Sequence, residues 1–194
     1  MDTTVGLRER KKAETRQAVH EATLRLAIEH GLDNVTVEAI ADAANISRRT
    51  FSNYFDNKED ALLYGDEQRM GELVQRVRDQ PAGLTGWQAL RAAFESLYAE
   101  SGDPDREWMT RARLVKQHPS LLARQLAGRV RLENELSRVV GERETAAGVG
   151  AVVLTAAFLT ALRIATLRWG ADHETRSLWE LTDETLDQIA RPFT

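Results

Sequence analysis

The apolar residues of this chain recur three and four positions apart, which is the spacing of helices that bury one face. No stretch shows the sustained two-residue alternation of a half-buried strand, and no proline interrupts the first 80 residues. In that first part the pattern predicts four helices, at about 12–30, 37–44, 48–55 and 58–80. We therefore expect an all-α protein.

Longer helical patterns follow Pro81, and short loops that contain glycine or proline separate them. These patterns predict five further helices, at about 84–101, 105–117, 119–141, 144–170 and 174–190. The expected architecture has about nine helices. It divides into a small head at residues 1–56 and a larger helical body at residues 57–194, connected by the fourth helix.

Residues 36–55 read TVEAIADAANISRRTFSNYF and predict two short helices joined by a tight turn. Thr36 and Ser47 each precede one of these helices and are suited to cap it through the side-chain oxygen. Phe51 and Phe55 share one face, four positions apart, and would anchor the second helix on the core of the head. Such a pair of helices is a helix-turn-helix, whose second helix can enter the major groove of DNA.

The candidate chemistry lies on the outer face and at the ends of the second helix. Arg48 and Arg49 can each donate two hydrogen bonds to guanine, and Asn53 can bond adenine. The hydroxyl groups of Thr50 and Tyr54 suit phosphate oxygens. These residue types therefore indicate a contact with double-stranded DNA.

In this region the sequence resembles the TetR/AcrR family of one-component transcriptional regulators. The resemblance covers about residues 12–64, and the order and spacing of its motifs are highly specific. The motifs are Glu29-His30-Gly31, Thr36-Val37-Glu38-Ala39-Ile40-Ala41, Ala44-Asn45-Ile46-Ser47, Thr50-Phe51, Asn53-Tyr54-Phe55 and Asn57-Lys58-Glu59-Asp60.

The resemblance implies a three-helix DNA-binding head in which Arg48, Arg49 and Thr50 read bases while Tyr54 and Lys58 contact phosphate. With the two caps and the other outward positions added, the candidate DNA-binding residues are Thr36, Ser47, Arg48, Arg49, Thr50, Ser52, Asn53, Tyr54 and Lys58. Three positions depart from the family pattern. The family usually has phenylalanine where Ala27 stands, which asks only for local repacking. The family often has a bulky aromatic residue where Ser52 stands and glycine or proline where Arg49 stands, and both differences bear on the preferred base sequence.

The same resemblance implies that the body holds a ligand cavity and a dimer interface, built from the helices at 144–170 and 174–190. Residues 145–162 run without a charge, as such an interface would require. An apolar stripe on the last helix is formed by Leu178, Leu181, Leu186 and Ile189. A core helix of a single chain would show the same pattern. The alanine, glycine and threonine content of 145–162 disfavours a membrane span.

The segment RARLVKQHPSLLARQLAGRVRLENELSRVV is also similar to a subgroup that includes regulators of mycofactocin loci, which sense long acyl-CoA thioesters. This similarity implies a small hydrophobic or amphipathic effector. The candidate pocket residues are Phe94, Leu97, Trp108, Met109, Leu122, Phe158 and Arg163. The apolar ones would equally suit an ordinary core. Arg163 would either face an acidic ligand or point outward into solvent.

The composition of the 194 residues is that of a folded protein, with 42% apolar and 29% charged residues. The lack of cysteine excludes disulfides, thiolate metal sites and cysteine nucleophiles, and it suits the cytoplasm. No catalytic, metal-binding or phosphate-binding motif occurs, so we expect neither an enzyme nor a cofactor or metal. We also expect no secretory signal, because the N-terminal segment lacks an apolar core.

The positive charge of the head is local. The whole chain has a net charge of −4, and residues 1–60 carry nine basic and eleven acidic residues. Residues 8–16, RERKKAETR, hold five basic and two acidic residues. Together with Arg48 and Arg49 this basic tail would contact the adjacent groove or backbone of DNA. The alternative is a solvated, disordered tail that contacts nothing.

These observations together predict a homodimeric transcriptional repressor that binds a palindromic DNA operator. A small, largely apolar ligand in the body would release it by favouring a conformation that no longer matches the groove spacing. The alternatives are a transcriptional activator, a DNA-binding adaptor that senses no ligand, and a helical protein-interaction module. An enzyme built on a helical bundle is disfavoured because no nucleophile–base or metal constellation is present.

Overall fold

In the computed structural model the described residues are 3–103, 106–143, 149–170 and 175–190. These residues form nine α-helices, one turn of 3-10 helix at Leu32–Asn34 and no strand, which confirms the all-α prediction. The helices are α1 (Thr3–His30), α2 (Val37–Ala43), α3 (Arg48–Ser52), α4 (Lys58–Asp79), α5 (Gly86–Ser101), α6 (Arg106–Gln117), α7 (Pro119–Gly141), α8 (Val149–Trp169) and α9 (Leu178–Ala190).

Most helix bounds lie within two residues of the predicted ones, and α7 has the predicted bounds. α3 is shorter than predicted, because the residues after Ser52 form a turn. α9 begins at Leu178 because Ser177 caps it: the Ser177 hydroxyl accepts from the Glu180 N–H at 3.1 Å, and the Glu180 carboxylate accepts from the Ser177 N–H at 2.8 Å. The predicted helix starts at 144 and 174 lie outside the described residues.

The N-terminal basic segment is helical, so the predicted start of the first helix at about residue 12 is wrong. α1 begins at Thr3, and residues 8–16 form exposed or half-buried turns of it rather than a disordered tail. Arginine, lysine, glutamate and alanine are strong helix formers, and Arg10 pairs with Glu14 one turn along at 3.8 Å. The spacing of apolar residues does not reveal this extension, because few of its side chains are buried.

The first compact unit consists of Met1–Arg69 and Thr110–Gln125. Its core includes Val19, Leu24, Leu32, Ile40, Phe51, Phe55, Leu62, Val115 and Leu121. The last two residues come from α6 and α7, so the segment 110–125 shares a core with the helix-turn-helix. The packing therefore groups more of the chain with the head than residues 1–56. The functional boundary at residue 56 stays a prediction.

Polar side chains are also buried in the first unit. His20 is 5% exposed, and its Nδ1–H donates to the Ala61 carbonyl at 2.9 Å. Its Nε2 faces Gly65, where a Cβ atom would lie 2.6 Å away, so α1 and α4 approach closely because this position is glycine. Arg111 donates to the Asp66 carboxylate at 2.8 Å. Burial, more than any neighbouring charge, lowers the pKa of His20.

The second compact unit consists of Met70–Met109 and Leu126–Thr194. In it α8 packs against α9 and α5. The ring of Phe158 contacts those of Trp87 and Phe94 edge-on, with centroids 6.4 and 6.2 Å apart. The buried side of α8 carries Ala151, Thr155, Phe158, Ala161 and Ala165.

Helix α8 is the one described segment that is long and apolar enough to cross a membrane, with a hydropathy of 1.8 over Gly150–Trp169. Core helices of proteins outside membranes meet the same criterion, and one side of α8 is packed in the core of its unit. The other side exposes Val152, Val153 and Leu167 to solvent. This arrangement agrees with a core or interface helix and gives no support for a membrane span.

Candidate nucleic-acid interface

Both short helices of the helix-turn-helix are capped as the sequence predicts. The Thr36 hydroxyl accepts from the Ala39 N–H at 3.1 Å at the start of α2. The Ser47 hydroxyl accepts from the Thr50 N–H at 3.0 Å at the start of α3. Each cap satisfies a backbone donor that has no partner within its helix and contributes about 1 kcal/mol.

The turn between α2 and α3 depends on two adjacent residues. Asn45 has φ of 53°, in the left-handed region that asparagine tolerates better than most residues. The next residue, Ile46, donates its N–H to the Ala41 carbonyl at 2.9 Å and packs its half-buried side chain on the core of the first unit. The chain therefore reverses within a few residues and presents α3 beside α2.

The inner face of α3 is anchored by aromatic rings. Phe51 is 1% exposed, and its ring centroid lies 5.8 Å from that of Phe55, which lies 5.5 Å from that of Tyr64. Among the candidate DNA-binding residues, Thr50, Tyr54 and Lys58 are half-buried. The exposed ones are Thr36, Ser47, Arg48, Arg49, Ser52 and Asn53.

The two arginines of α3 have different surroundings. Arg48 Nη1 lies 2.9 Å from Glu38 Oε1, and both side chains are mostly exposed. Among the described residues, no ion pair or side-chain hydrogen bond of Arg49 is found. Glu38 stands in one of the family motifs, but the sequence does not reveal its ion pair, because Arg48 is ten positions away on another helix. An exposed pair of this kind contributes about 0–1 kcal/mol, so DNA can compete for Arg48.

Lys58 has an intramolecular role that its sequence position did not reveal. Its ammonium donates to the Leu32 carbonyl at 2.7 Å and to the Val35 carbonyl at 2.9 Å, and so holds the connection between α1 and α2. The side chain of Asn57 caps α4 by accepting from the Asp60 N–H at 2.9 Å. A phosphate contact by Lys58 stays a prediction, with one ammonium hydrogen left for it.

Tyr54 is held by a cation from the basic segment. The guanidinium carbon of Arg16 lies 6.0 Å from the ring centre of Tyr54 and 5.9 Å from that of Tyr64. Arg16 Nε is buried and has no hydrogen-bond partner among the described residues. This arginine therefore acts within the protein, and the charge available to an external anion is smaller than the sequence count indicates.

The candidate pocket residues of the body are only partly brought together. Phe94, Leu97 and Phe158 belong to one core cluster. Trp108 lies against Trp169, with ring centroids 6.1 Å apart. Trp169 and Trp179, whose ring centroid is 6.0 Å from that of Phe94, were not among the candidates, although both belong to the apolar pattern of their helices.

Three further candidates in the body differ in environment. The methyl carbon of Met109 lies 3.4 Å from where a Cβ atom of Gly170 would be. Leu122 belongs to the first compact unit, not to the second that holds the other candidates, and its side chain is exposed. Arg163 is exposed on α8, which agrees with the outward alternative. Whether any of these residues contacts a ligand stays a prediction.

Two family models match the chain. Residues 20–64 match the model described as "Bacterial regulatory proteins, tetR family". Residues 84–194 match the model described as "MftR C-terminal domain". The first match covers the C-terminal part of α1, the helix-turn-helix and the start of α4, and the second covers more than half of the chain.

Curated relatives agree with these matches. The chain is 32% identical to the HTH-type transcriptional regulator TcmR of Streptomyces glaucescens over 145 residues, which are 72% of this chain and 64% of that protein. It is 28% identical to a Mycobacterium tuberculosis protein named for the mycofactocin biosynthesis regulator MftR, over 59% of this chain and 58% of that protein. The matches thus span less than two thirds of these relatives.

Solved structures show the same fold. Thermus thermophilus FadR, described as a TetR family transcriptional repressor in complex with lauroyl-CoA, superposes with a TM-score of 0.61 over 90% of this chain and 92% of that chain. The sequence identity is 22%, so this similarity concerns the fold alone. The matched families and relatives are transcriptional regulators, not enzymes.

Proposed function

Because the chain belongs to the TetR family of bacterial regulatory proteins and carries an MftR-type C-terminal domain, we propose that it is a homodimeric DNA-binding repressor. It acts in the cytoplasm on a palindromic operator, and a small apolar or amphipathic effector releases it. The observation that carries the proposal is the capped and anchored helix α3, whose Arg48 and Arg49 are both exposed.

The geometry of α3 suits reading of the major groove. Recognition helices contact base edges with their N-terminal residues, and here the first two helical residues are Arg48 and Arg49. Arg49, which has no ion pair or side-chain hydrogen bond within the described part of the chain, is the stronger candidate for a bidentate contact with guanine. Arg48 must first leave Glu38, so part of its contact energy offsets the loss of that ion pair.

The exposed side of α8 supports dimerisation. Val152 and Val153 are 51% and 60% exposed, next to each other on a helix whose opposite side lies in the core. Covering such side chains with a second copy removes apolar surface from water, at about 25 cal/mol per Å². A two-fold dimer would also place two recognition helices on successive major grooves, as a palindromic operator requires.

Two observations support an apolar or amphipathic effector. The MftR-type domain accounts for residues 84–194, and the fold neighbour FadR was solved with lauroyl-CoA. In the second unit, aromatic side chains such as Phe94 and Trp179 offer apolar surface to an acyl chain. A ligand of this kind lowers the operator affinity only if it binds the DNA-free state more tightly, and DNA then weakens ligand binding by the same factor.

The first experiment measures binding of the purified protein to a duplex that carries the upstream region of its own gene, with a scrambled duplex for comparison. We expect selective, steeply salt-dependent binding. The Arg48→Ala/Arg49→Ala variant should lose this selective binding. Of the two single variants, Arg49→Ala should lower the affinity for the duplex more than Arg48→Ala. The matched control is Arg113→Ala/Lys116→Ala, which removes the same charge from exposed positions of α6.

If the upstream duplex is not bound selectively, selection from random duplexes replaces it, and failure of that selection overturns the DNA-binding proposal. Lauroyl-CoA is then added to the complex as the probe of the effector class. Release of the duplex supports a ligand-responsive repressor. Unchanged binding of the duplex contradicts release by a ligand and favours an adaptor that senses no ligand. Tighter binding also contradicts release and favours an activator.

A further inference from the structure

The N-terminal half of α1 presents three of its five basic side chains on one face. Arg8, Lys11, Lys12 and Thr15 are spaced three and four positions apart and therefore share a side of the helix. The other two basic side chains of the segment contact groups within the protein. Arg10 lies 3.8 Å from Glu14, and Arg16 lies over the rings of Tyr54 and Tyr64.

This basic face forms one wall of a groove of about 810 Å³. The opposite wall is made by Thr50 from the middle of α3 and by Asn53 and Tyr54 from the turn after it. The groove therefore combines cations on one side with hydroxyl and amide groups on the other. Both kinds of group donate hydrogen bonds to phosphate oxygens.

The charge of the groove calls for an anionic occupant. Arg8, Lys11 and Lys12 line it together with a single acidic residue, Glu9. The first 60 residues are net acidic, so this positive charge is a local feature and not a general property of the head. A chain of regularly spaced phosphates fits an elongated basic face better than a single small anion does.

We propose that the sugar–phosphate backbone of DNA flanking the bases read by α3 lies in this groove. The proposal rests on the proposed function, because the groove is beside the C-terminal end of α3 while the N-terminal end of the same helix reads the bases. The helical extension of α1 is thus a second, sequence-independent DNA contact, which lengthens the footprint beyond the helix-turn-helix.

This contact is additional to the domain that the family model describes. The tetR-family match begins at residue 20, whereas the basic face lies at residues 8–15. Because the extension is a continuation of α1, its backbone is already ordered and no backbone conformational entropy is lost on binding. A disordered arm of the same charge would lose backbone conformational entropy when it becomes ordered on DNA.

The test compares two duplexes with the same selected operator core, one trimmed to the core and one with long flanks. The variant is Arg8→Ala/Lys11→Ala/Lys12→Ala, in which alanine keeps the helix. On the flanked duplex we expect the slope of log K against log salt to become flatter by about 2 to 3, since each lost phosphate contact accounts for about 0.9. On the trimmed duplex the variant and the wild type should bind alike, and base preference should not change.

The matched control is Arg69→Ala/Arg113→Ala/Lys116→Ala, which removes the same charge from exposed positions outside the groove. Circular dichroism checks that all variants keep their helix content. The inference is overturned if both triple variants behave alike, or if the flanks do not affect the wild type. If the wild type binds no sequence selectively, the proposed function fails, and the same variants on an arbitrary duplex still decide whether this face contacts phosphate.

Discussion

The helix-turn-helix and helix α8 solve different packing problems. In α2 and α3 the polar ends are capped by Thr36 and Ser47, and the aromatic anchor Phe51 is fully buried. In α8 the residues that face the core are small or apolar, but Val152 and Val153 remain exposed. The first element is thus completed by its own chain, whereas the second leaves apolar surface that a partner can cover.

This difference relates each region to its proposed partner. A surface that reads DNA must keep polar groups accessible and fixed, so its apolar anchors lie underneath. A surface that binds another copy of the chain gains free energy from the apolar area itself. The predictions below test whether the two regions depend on these separate causes, in order of decreasing expected effect.

The largest effect is expected for Phe51→Ala. Removing a buried ring leaves a cavity under α3, so the free energy of unfolding of the first unit should fall by about 3–5 kcal/mol. Urea unfolding followed by circular dichroism measures this loss. Ser52→Ala, at the exposed neighbouring position, should change it by less than about 0.5 kcal/mol. A loss below about 1 kcal/mol for Phe51→Ala would show that α3 does not depend on this anchor.

The next effect concerns the ion pair between α4 and α6. Arg111→Met leaves the largely buried Asp66 carboxylate without its partner, which should cost about 3 kcal/mol of unfolding free energy. Adding Asp66→Leu removes the stranded charge and should restore much of the stability. Arg113→Met, exposed on the same helix, is the control. If Arg111→Met/Asp66→Leu is no more stable than Arg111→Met, the unpaired carboxylate is not the cause of the lost unfolding free energy.

The apolar side of α8 is tested by Val152→Asp/Val153→Asp. We expect dimer dissociation to increase at least about tenfold, equivalent to about 1.4 kcal/mol, because charges would be buried at the contact. Analytical ultracentrifugation over a range of concentrations measures it. The control Val130→Asp introduces one aspartate at a 58% exposed valine of α7. Dissociation caused by Val130→Asp instead would place the interface on α7 and contradict the proposal.

A direct comparison of the two units uses their helix caps. Ser47→Ala removes the side-chain cap of α3. Thr85→Ala removes the cap of α5, in which the Thr85 hydroxyl accepts from the Gln88 N–H at 3.3 Å. Each should cost about 1 kcal/mol of stability. Only Ser47→Ala should also weaken binding to the selected duplex, because only that cap orders Arg48 and Arg49. Equal effects on DNA binding would show that general destabilisation is responsible.

The smallest effect is a pH dependence that originates at His20. Because burial lowers the pKa of His20 in the folded protein, the unfolded chain binds the proton first as the pH falls below about 6.5. Its contribution to stability is therefore complete above that pH and declines toward the lowered pKa. Melting temperatures at about pH 7.5 and 5.5 should differ less in His20→Asn than in the wild type. His30→Asn, at an exposed position, should keep the full difference.

Local features were predicted well because the residues that decide them are neighbours in the chain. Thr36 and Ser47 accept from N–H groups three positions ahead, and Pro119 begins α7 as predicted. The helix-turn-helix and the family could be recognised for the same reason. The start of α1 was missed because helix propensity, and not a buried stripe, determines it.

Long-range contacts could not be predicted in this way. Lys58 contacts carbonyl groups 26 and 23 positions away, and Glu38 pairs with Arg48 across the turn. The candidate pocket residue Leu122 belongs to the first compact unit, not to the second with Phe94 and Phe158. Charge and hydrophobicity alone do not say which distant residue becomes a neighbour.

Helix α8 separates what the sequence determines from what only the tertiary structure determines. The sequence by itself determined that residues 145–162 are uncharged and helical in character, and that the chain as a whole is all-α with a helix-turn-helix near its N-terminus. Only the tertiary structure decided that Thr155 and Phe158 face the core while Val152 and Val153 face solvent. A helix that is apolar on every side has no polar face to orient it, so its orientation follows from packing against its neighbours.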